Sequence, residues 1–266
     1  MILLLIIFFV ITAIVLQHLF LWSPKNMTGF YKNKTPLFIA HRGYLINKPE
    51  NTTSSFIEAV NKGAKALEID VIKTKDNEII CSHNYDLGVE TDLYGDASTM
   101  DYSYIKKANT SFKQKHKKEP IPRLIDILKN TPTEIILNIE IKTKKLNDIS
   151  IARNVMTIIK KEKRVHRVLI SSFNPLILWY VKWIDKNVRT GFLYDNPKLL
   201  FLKNIIHPDC IHPKDILITK NLVKHCHERG FCVNAWTTNN TPSIHWLMEL
   251  GVDGVITDNP KFFIYK

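Results

Sequence analysis

The chain has 266 residues, of which 45% are hydrophobic and 23% are charged, and its formal net charge is +12. This length and hydrophobic content allow a full buried core, so they exclude a disordered protein and a small disulfide-stapled domain. The positive charge is scattered, with one dense tract at residues 113–118, and no nucleic-acid-binding motif accompanies it. We interpret the tract as a solvated loop or, alternatively, as a surface that attracts anionic lipid headgroups.

The first residues form an apolar segment. Residues 2–22 are almost entirely apolar, and a helix of this length, at about 1.5 Å per residue, spans roughly 30 Å, the thickness of a bilayer's hydrocarbon core. No basic residue precedes the segment, which disfavours a cleaved signal peptide. We therefore predict a membrane protein with a single-pass transmembrane anchor over residues 1–23 and a linker over residues 24–36. Lysines follow the segment and favour a cytoplasmic position for the rest of the chain, but long domains can cross a membrane regardless of charge.

Strand-like and helix-like segments alternate along the remaining chain. The strands are predicted at residues 37–41, 66–72, 134–141, 168–173, 189–194, 209–212, 231–236 and 254–257. A further extended arm at residues 78–82 follows a turn and is predicted to form a hairpin with the second strand. The alternation predicts a parallel α/β fold, and spacing alone leaves open a closed (β/α)8 barrel or a doubly wound sheet.

A long segment between the second and third strands has little periodicity. Residues 84–119 carry four tyrosines among polar residues. A stretch of this length inside a compact domain usually has a function of its own. We predict an insertion that forms a substrate-facing lid, with a purely structural excursion as the alternative.

Polar residues stand at the ends of the first strand-like runs. Glu68 and Asp70 alternate with apolar residues in the second strand, so both carboxylates face the same side. Two adjacent carboxylates resist ionising together unless a cation lies between them. His41 follows the first strand and His83 follows the apolar run at 79–81, so the two histidines would supply an acid and a base beside that cation.

Four short motifs follow one another in a specific order. They are His41-Arg42-Gly43, Pro49-Glu50-Asn51-Thr52, Glu68-Ile69-Asp70 and finally His83. This ordered set resembles the glycerophosphodiester phosphodiesterases, and the resemblance extends from about residue 37 to residue 260. It implies a (β/α)8 TIM barrel over residues 37–266 and a metal-dependent phosphoric diester hydrolase that releases glycerol 3-phosphate and an alcohol. It also implies attack by the substrate's own free glycerol hydroxyl, through a cyclic phosphate.

The resemblance assigns roles to five residues. His41 and His83 match the catalytic pair, although which one is the acid and which the base stays open. Glu68 and Asp70 match two metal ligands, and Glu140, which stands between two isoleucines, matches the third. Ligation by oxygen alone suits one Mg²⁺ or Ca²⁺ ion, and the sequence does not choose between them.

Four residues are candidate substrate contacts. Arg42 and Lys142 would contact the phosphate, with ordinary ion pairing to the carboxylates as the alternative. Glu50 matches the family motif and would hydrogen-bond within the site, whereas its neighbour Asn51 offers a cap for the next helix. Trp236 matches a family position that lines the substrate pocket, with a tryptophan of the core as the alternative.

The chain departs from the family pattern after its second histidine. The family usually continues with an aspartate and, a few residues later, with Arg-Thr-Thr. Here Asn84 replaces the aspartate and the arginine is absent between residues 84 and 91. These changes leave open the orientation of His83 and the usual preference for a leaving group.

The main hypothesis is therefore a membrane-anchored phosphodiesterase that acts on glycerophosphodiesters. The alternative enzyme is a lysophospholipase D that releases lysophosphatidic acid from a substrate with one acyl chain. The alternative of another class is a non-catalytic barrel that binds phosphodiesters. The expected partners are the substrate and a membrane rather than a nucleic acid, and the oligomeric state is not predicted.

Overall fold

The computed structural model describes residues 2–27, 29–31, 36–111 and 118–264. Most of the basic tract at 113–118 and part of the predicted linker at 24–36 lie outside the described residues. From residue 36 to residue 264, the structure describes every residue except 112–117.

Nine strands form one sheet in the part of the chain that the structure describes. They are β1 (Leu37–Ala40), β2 (Ala66–Lys73), β3 (Ile79–Cys81), β4 (Ile136–Ile141), β5 (Val168–Ser172), β6 (Arg189–Tyr194), β7 (Cys210–Pro213), β8 (Cys232–Ala235) and β9 (Gly254–Thr257). All neighbours pair in parallel except β3, which pairs antiparallel with β2 as the predicted hairpin arm. Because β1 pairs with both β2 and β9, the eight parallel strands close into a barrel. The predicted TIM barrel is confirmed and the doubly wound alternative is excluded.

Helices cover the outside of the barrel. The described α-helices are α1 (Ile2–Phe20), α2 (Thr53–Asn61), α3 (Tyr102–Ile105), α4 (Leu124–Asn130), α5 (Ser150–Lys161), α6 (Pro175–Ile184), α7 (Lys203–Ile206), α8 (Lys220–Glu228) and α9 (Thr241–Leu250). Between β6 and β7, a 3₁₀ segment, Pro197–Leu202, continues into α7. The alternating strands and helices of the sequence therefore form the barrel and the layer of helices around it.

The alternation of side chains along β2 separates the core from the site. Leu67, Ile69 and Val71 are buried in the main hydrophobic core, which lies between the strands and the outer helices. Glu68 and Asp70 occupy the opposite face, which is the barrel interior. The period of two in the sequence thus predicted correctly that Glu68 and Asp70 share one face of this strand.

Residues before β1 cover the N-terminal end of the barrel. Met27 and Phe30 are buried in a cluster with inward-facing apolar residues of several strands. The Tyr31 hydroxyl donates a hydrogen bond of 3.0 Å to Asn234 Oδ1 in β8. Part of the segment predicted as a linker therefore packs against the barrel, and the domain boundaries themselves stay predictions.

The N-terminal helix α1 forms as predicted, and its side chains from residue 4 to residue 16 are mostly exposed. The C-terminal end of α1 contacts the barrel, because the His18 ring lies against the His207 ring. Trp22, just after the helix, stacks on the same His207 ring with 4.1 Å between the ring centroids. Over the residues that the structure describes, no helix combines the length and the hydrophobicity that crossing a membrane requires. The transmembrane part of the prediction is not supported.

The insertion after β3 has a small core of its own. Leu87, Ala97 and Ile105 pack against Ile72 and Ile80 of the β2–β3 hairpin. Two 3₁₀ segments, Leu87–Val89 and Ala97–Thr99, precede α3. The predicted insertion is present, and its role as a lid stays a prediction.

Candidate active site

A sharp turn follows β1 and presents the first two site residues. Arg42 and Gly43 both have positive φ angles, 54° and 97°. A Cβ atom on Gly43 would lie 2.7 Å from the backbone carbonyl carbon of Ser55, which is closer than real Cβ contacts. Glycine at position 43 therefore permits both the left-handed backbone and the close approach of α2, and the turn places His41 and Arg42 at the C-terminal mouth of the barrel.

We expect Gly43→Ala to lower the free energy of unfolding by about 1–3 kcal/mol, because the substitution combines backbone strain with an overlap. Gly251→Ala is the matched control. Gly251 has a φ of 80° but nothing within 4 Å of a built Cβ, so it tests strain alone. Urea denaturation of both variants measures the difference, and equal losses would refute the overlap at Ser55.

Three buried carboxylates meet inside the barrel. Asp70 of β2 lies directly opposite Glu140 of β4 in the parallel register, and Glu68 lies on the same face of β2. One oxygen atom from each of the three residues lies within 4.8 Å of the others. The backbone N–H of Arg42 donates a hydrogen bond of 3.1 Å to Glu68 Oε2, which ties the turn after β1 to this group.

The pKa values of the three carboxyl groups are strongly shifted. Burial and then the charges of Asp70 and Glu140 raise the pKa of Glu68 well above its usual range. Burial raises the pKa of Glu140 to about 7, against the opposing charge of Lys142. Burial acts in the same direction on Asp70, but Lys142 and Arg42 together hold its pKa well below its usual value. The group therefore carries carboxylates that a further positive charge would stabilise.

This group fits a hard divalent cation. All three side chains offer oxygen ligands, which is the donor set that Mg²⁺ and Ca²⁺ prefer. Asp70 Oδ1 lies 3.1 Å from Lys142 Nζ, yet no hydrogen bond of good geometry reaches this buried oxygen from any described residue. When the three carboxyl groups are ionised, their negative charge exceeds the positive charge of Arg42 and Lys142, and a divalent ion would stabilise that excess.

An asparagine fixes the orientation of one carboxylate. Asn51 Nδ2 donates to Asp70 Oδ2 at 3.0 Å, and the Asp70 backbone N–H donates to Asn51 Oδ1 at 3.1 Å. The N-cap of α2 is Thr52, which forms a reciprocal capping box with Ser55. The interpretation of Asn51 as a helix cap is therefore wrong, and the residue orients a candidate metal ligand instead.

Both candidate phosphate contacts form ion pairs in this structure. Arg42 lies 3.0 Å from Asp70 through Nε and 2.9 Å from Glu50 through Nη1. Lys142 Nζ lies 2.5 Å from Glu140 and 3.1 Å from Asp70. The structure thus brings Arg42, Lys142 and Glu50 to the carboxylates, and contact with a phosphate stays a prediction.

The two histidines occupy different electrostatic settings. His41 Nδ1 lies 2.8 Å from Asp258 Oδ1, and Asn239 Nδ2 donates to the other oxygen of that carboxylate at 2.6 Å. His83 is half-buried after β3, and burial followed by the charge of Lys142 lowers its pKa. Asp258 was not among the site residues predicted from the sequence. Its place directly after the last barrel strand is where side chains of a barrel's active site are expected.

Aromatic residues form one side of the mouth. Trp236 Nε1 donates to the His212 backbone carbonyl at 2.7 Å, and its ring meets Phe173 edge-on at 5.2 Å. Phe173 also lines a cavity of about 290 Å³ next to Glu140 and Lys142. Sequence reasoning missed Phe173, because an aromatic residue at a strand end is also typical of an ordinary core. A second cavity, of about 480 Å³, is lined by Arg42, Glu50, Asn84, Glu90 and Thr110, among others.

The raised pKa values predict how metal binding depends on pH. A carboxyl group whose folded-state pKa is raised binds a proton more tightly in the folded than in the unfolded protein. The metal-free protein should therefore lose stability as the pH rises from the ordinary pKa of a glutamate to about 7, where Glu140 ionises. Protons compete with a metal over the same range. We expect the increase in Tm on adding Mg²⁺ or Ca²⁺ to be larger at pH 8 than at pH 6, and thermal unfolding at both values checks this; an equal increase would contradict it.

Comparisons with known proteins agree with this geometry. The sequence profile of the glycerophosphoryl diester phosphodiesterase family matches residues 41–262. A glycerophosphodiester phosphodiesterase of Caldanaerobacter subterraneus subsp. tengcongensis is 32% identical over 235 residues, which cover 86% of this chain and 96% of the relative. The lysophospholipase D GDPD1 of Mus musculus is 26% identical over 266 residues, covering 84% of this chain and 83% of the relative.

Solved structures lead to the same family. One is a phosphodiesterase of Oleispira antarctica, solved in complex with the product sn-glycerol-3-phosphate, which is 25% identical to this chain and has a TM-score of 0.79. The match covers 86% of this chain and 95% of the chain of that structure. The profile match covers most of the chain, and the first of the relatives above exceeds 30% identity over nearly its whole length. The chain therefore belongs to the glycerophosphoryl diester phosphodiesterase family of phosphoric diester hydrolases.

Proposed function

We propose that this protein hydrolyses glycerophosphodiesters to glycerol 3-phosphate and an alcohol. The observation that carries the proposal is the buried group of Glu68, Asp70 and Glu140 at the barrel mouth, with a histidine at the end of β1 and another after β3. Family membership and the product bound to the Oleispira antarctica relative support the substrate class.

Glu68, Asp70 and Glu140 would hold one divalent cation, Mg²⁺ or Ca²⁺. The cation would supply electrostatic stabilisation of charge on the phosphoryl oxygens. Arg42 and Lys142 add positive charge at the same place, because both lie within about 3 Å of Asp70. In this proposal each cation exchanges one carboxylate partner for a phosphate oxygen when the substrate enters.

We assign the general acid to His41 and the general base to His83. The Asp258 carboxylate lies 2.8 Å from His41 Nδ1 and orients the ring, so that Nε2 is the nitrogen that would give a proton to the departing alcohol oxygen. Burial and the charges of Lys142 and Arg42 lower the pKa of His83 and favour its neutral form. A neutral imidazole can take the proton from the attacking hydroxyl.

Glu50 and Trp236 complete the substrate contacts in this proposal. Glu50 accepts a hydrogen bond from Arg42 and would keep that guanidinium in place. Trp236 is held through its indole N–H, so the face of its ring can pack against the glycerol carbons.

The test is a product assay with the full chain. Glycerophosphocholine, glycerophosphoethanolamine and lysophosphatidylcholine are each incubated with the protein and either Mg²⁺ or Ca²⁺. We expect glycerol 3-phosphate from the two deacylated diesters. Turnover of none of the three, with metal shown to be bound, would overturn the proposal in favour of a non-catalytic phosphodiester-binding barrel.

A lysophospholipase D is the second candidate. The exposed Phe173 and Leu146, which share the cavity beside Glu140 and Lys142, offer apolar surface that an acyl chain could cover. A relative named lysophospholipase D aligns along most of this chain. Release of lysophosphatidic acid alone in the product assay would favour this activity.

Membrane localisation is a separate proposal. It is supported by the apolar sequence of α1 and by the exposure of its described side chains, which water solvates poorly. Sedimentation of the full chain with the membrane fraction after lysis, resistant to high salt, is the expected result. Recovery in the supernatant would contradict it.

A further inference from the structure

Glu90 of the insertion accepts hydrogen bonds from both sides of His83. Ser82 Oγ donates to Glu90 Oε2 at 2.7 Å. The backbone N–H and the side-chain Nδ2 of Asn84 both donate to Glu90 Oε1, at 3.0 and 2.8 Å. The two chain neighbours of His83 thus both donate hydrogen bonds to one carboxylate.

The chemistry of these groups fixes the side chain of Asn84. An ionised carboxylate only accepts hydrogen bonds, so the amide nitrogen of Asn84 has to face Glu90. Glu90 therefore holds both the backbone and the side chain of Asn84, the residue that follows His83.

The backbone around His83 is also held by hydrogen bonds that do not involve Glu90. The Ser82 hydroxyl also donates to the Asn84 carbonyl at 3.0 Å, and the Ser82 backbone N–H donates to Asp70 O at 3.2 Å. The segment that carries His83 is therefore held at several points.

We propose that Glu90 is a positioning residue for His83, because it holds Ser82 and Asn84 on both sides of that histidine and so fixes where the imidazole is presented for general-base catalysis. This rests on the function proposed above. It also accounts for the departure from the family pattern, because the carboxylate that the family carries directly after this histidine is supplied here by Glu90, six residues further along the chain from Asn84.

A purely structural role is the competing explanation. Glu90 is also the residue that ends the 3₁₀ segment Leu87–Val89, so its loss could loosen the insertion in general. Asp92 provides the matched control. It lies in the same insertion. It accepts a hydrogen bond of 2.7 Å from the Asn109 backbone N–H, and Asn109 is not a chain neighbour of His83.

The experiment compares Glu90→Ala, Glu90→Gln, Asn84→Ala, the double variant Asn84→Ala/Glu90→Ala and the control Asp92→Ala in the full chain. For each, kcat and KM for the diester that the wild type hydrolyses are measured with metal present. We expect Glu90→Ala to lower kcat by about 10- to 100-fold, the usual effect of removing an outer partner of a site residue, with KM changed little. Glutamine can accept from Asn84 and donate to Ser82, so Glu90→Gln should retain most of the activity.

Non-additivity is the decisive readout. Asn84→Ala removes only part of the hydrogen bonding that Glu90 provides, so the double variant should lose less kcat than the product of the two single losses. A double variant whose losses in kcat multiply, or a Glu90→Ala variant no slower than Asp92→Ala, would overturn the proposal.

A second readout does not depend on turnover. The ¹⁵N chemical shifts of the His83 imidazole report its surroundings, and we expect them to change in Glu90→Ala and to keep their wild-type values in Asp92→Ala. Unchanged shifts in Glu90→Ala would overturn the proposal. Absence of any diester turnover by the wild type would instead count against the proposed function, so the two failures are distinguishable.

Discussion

Replacing His41 by alanine is expected to lower kcat by about 10²- to 10⁴-fold, the usual contribution of a general acid or base. The substitution removes the imidazole that pairs with Asp258 at 2.8 Å. It leaves the carboxylates Glu68, Asp70 and Glu140 untouched, so metal affinity should stay close to that of the wild type. Steady-state kinetics and a calorimetric metal titration on the same variant separate the two effects.

The matched control for this prediction is His225→Ala, since His225 is exposed on α8 and forms no part of the site. His83→Ala should resemble His41→Ala in kcat and in metal affinity. Near-normal turnover by His41→Ala would show that the acid and base assignment is wrong. A loss of metal affinity equal to the loss of turnover would show that the histidine holds the metal rather than a proton.

Replacing Glu68 by glutamine is expected to weaken metal binding by about 100-fold or more, since a ligand contributes at least as much as the outer partners that orient it. Glutamine keeps an oxygen that can accept from the Arg42 backbone N–H, so the turn after β1 should survive. Burial and then the charges of Asp70 and Glu140 raise the pKa of Glu68, so an ionised carboxylate at this position costs stability in the metal-free protein. We therefore expect the metal-free variant to be at least as stable as the metal-free wild type.

Calorimetric titration with Mg²⁺ and with Ca²⁺ after EDTA treatment measures the affinity, and thermal unfolding measures the stability. Glu249→Gln is the control, because Glu249 is an exposed carboxylate on α9. Wild-type metal affinity in Glu68→Gln would place the metal elsewhere. A large loss of stability without metal would show that Glu68 is needed for folding rather than for binding.

Short-range patterns explain what the sequence predicted well. The alternation of Glu68 and Asp70 with apolar residues fixed their common face, because a strand has a period of two. The order of strands and helices limited the fold to two parallel architectures, and the family resemblance selected the barrel that β1 and β9 close. Glu140 was named from the resemblance, and its position opposite Asp70 depends on a strand register that local patterns do not determine.

Some contacts of the site could not be predicted from the sequence because they are long-range hydrogen bonds. His41 meets Asp258 across 217 residues of chain, and Asn51 meets Asp70 across two elements, so neither pair has a signature in local sequence. The carboxylate of Glu90 was overlooked for a different reason. Its position is set by the compact turn of the insertion, and the segment from residue 84 to residue 119 has no periodic pattern from which that turn could be predicted.

One measurement tests the central claim most directly, namely that the carboxylate group and the two histidines hydrolyse glycerophosphodiesters with a divalent cation. The full chain is treated with EDTA, the chelator is removed, and release of glycerol 3-phosphate from glycerophosphocholine and glycerophosphoethanolamine is followed while Mg²⁺ or Ca²⁺ is added back. We predict no release without metal, saturable recovery with one of the two ions, and no recovery in Glu68→Gln at the concentration that saturates the wild type. Undiminished release after complete removal of metal, or equal recovery in Glu68→Gln, would contradict the account.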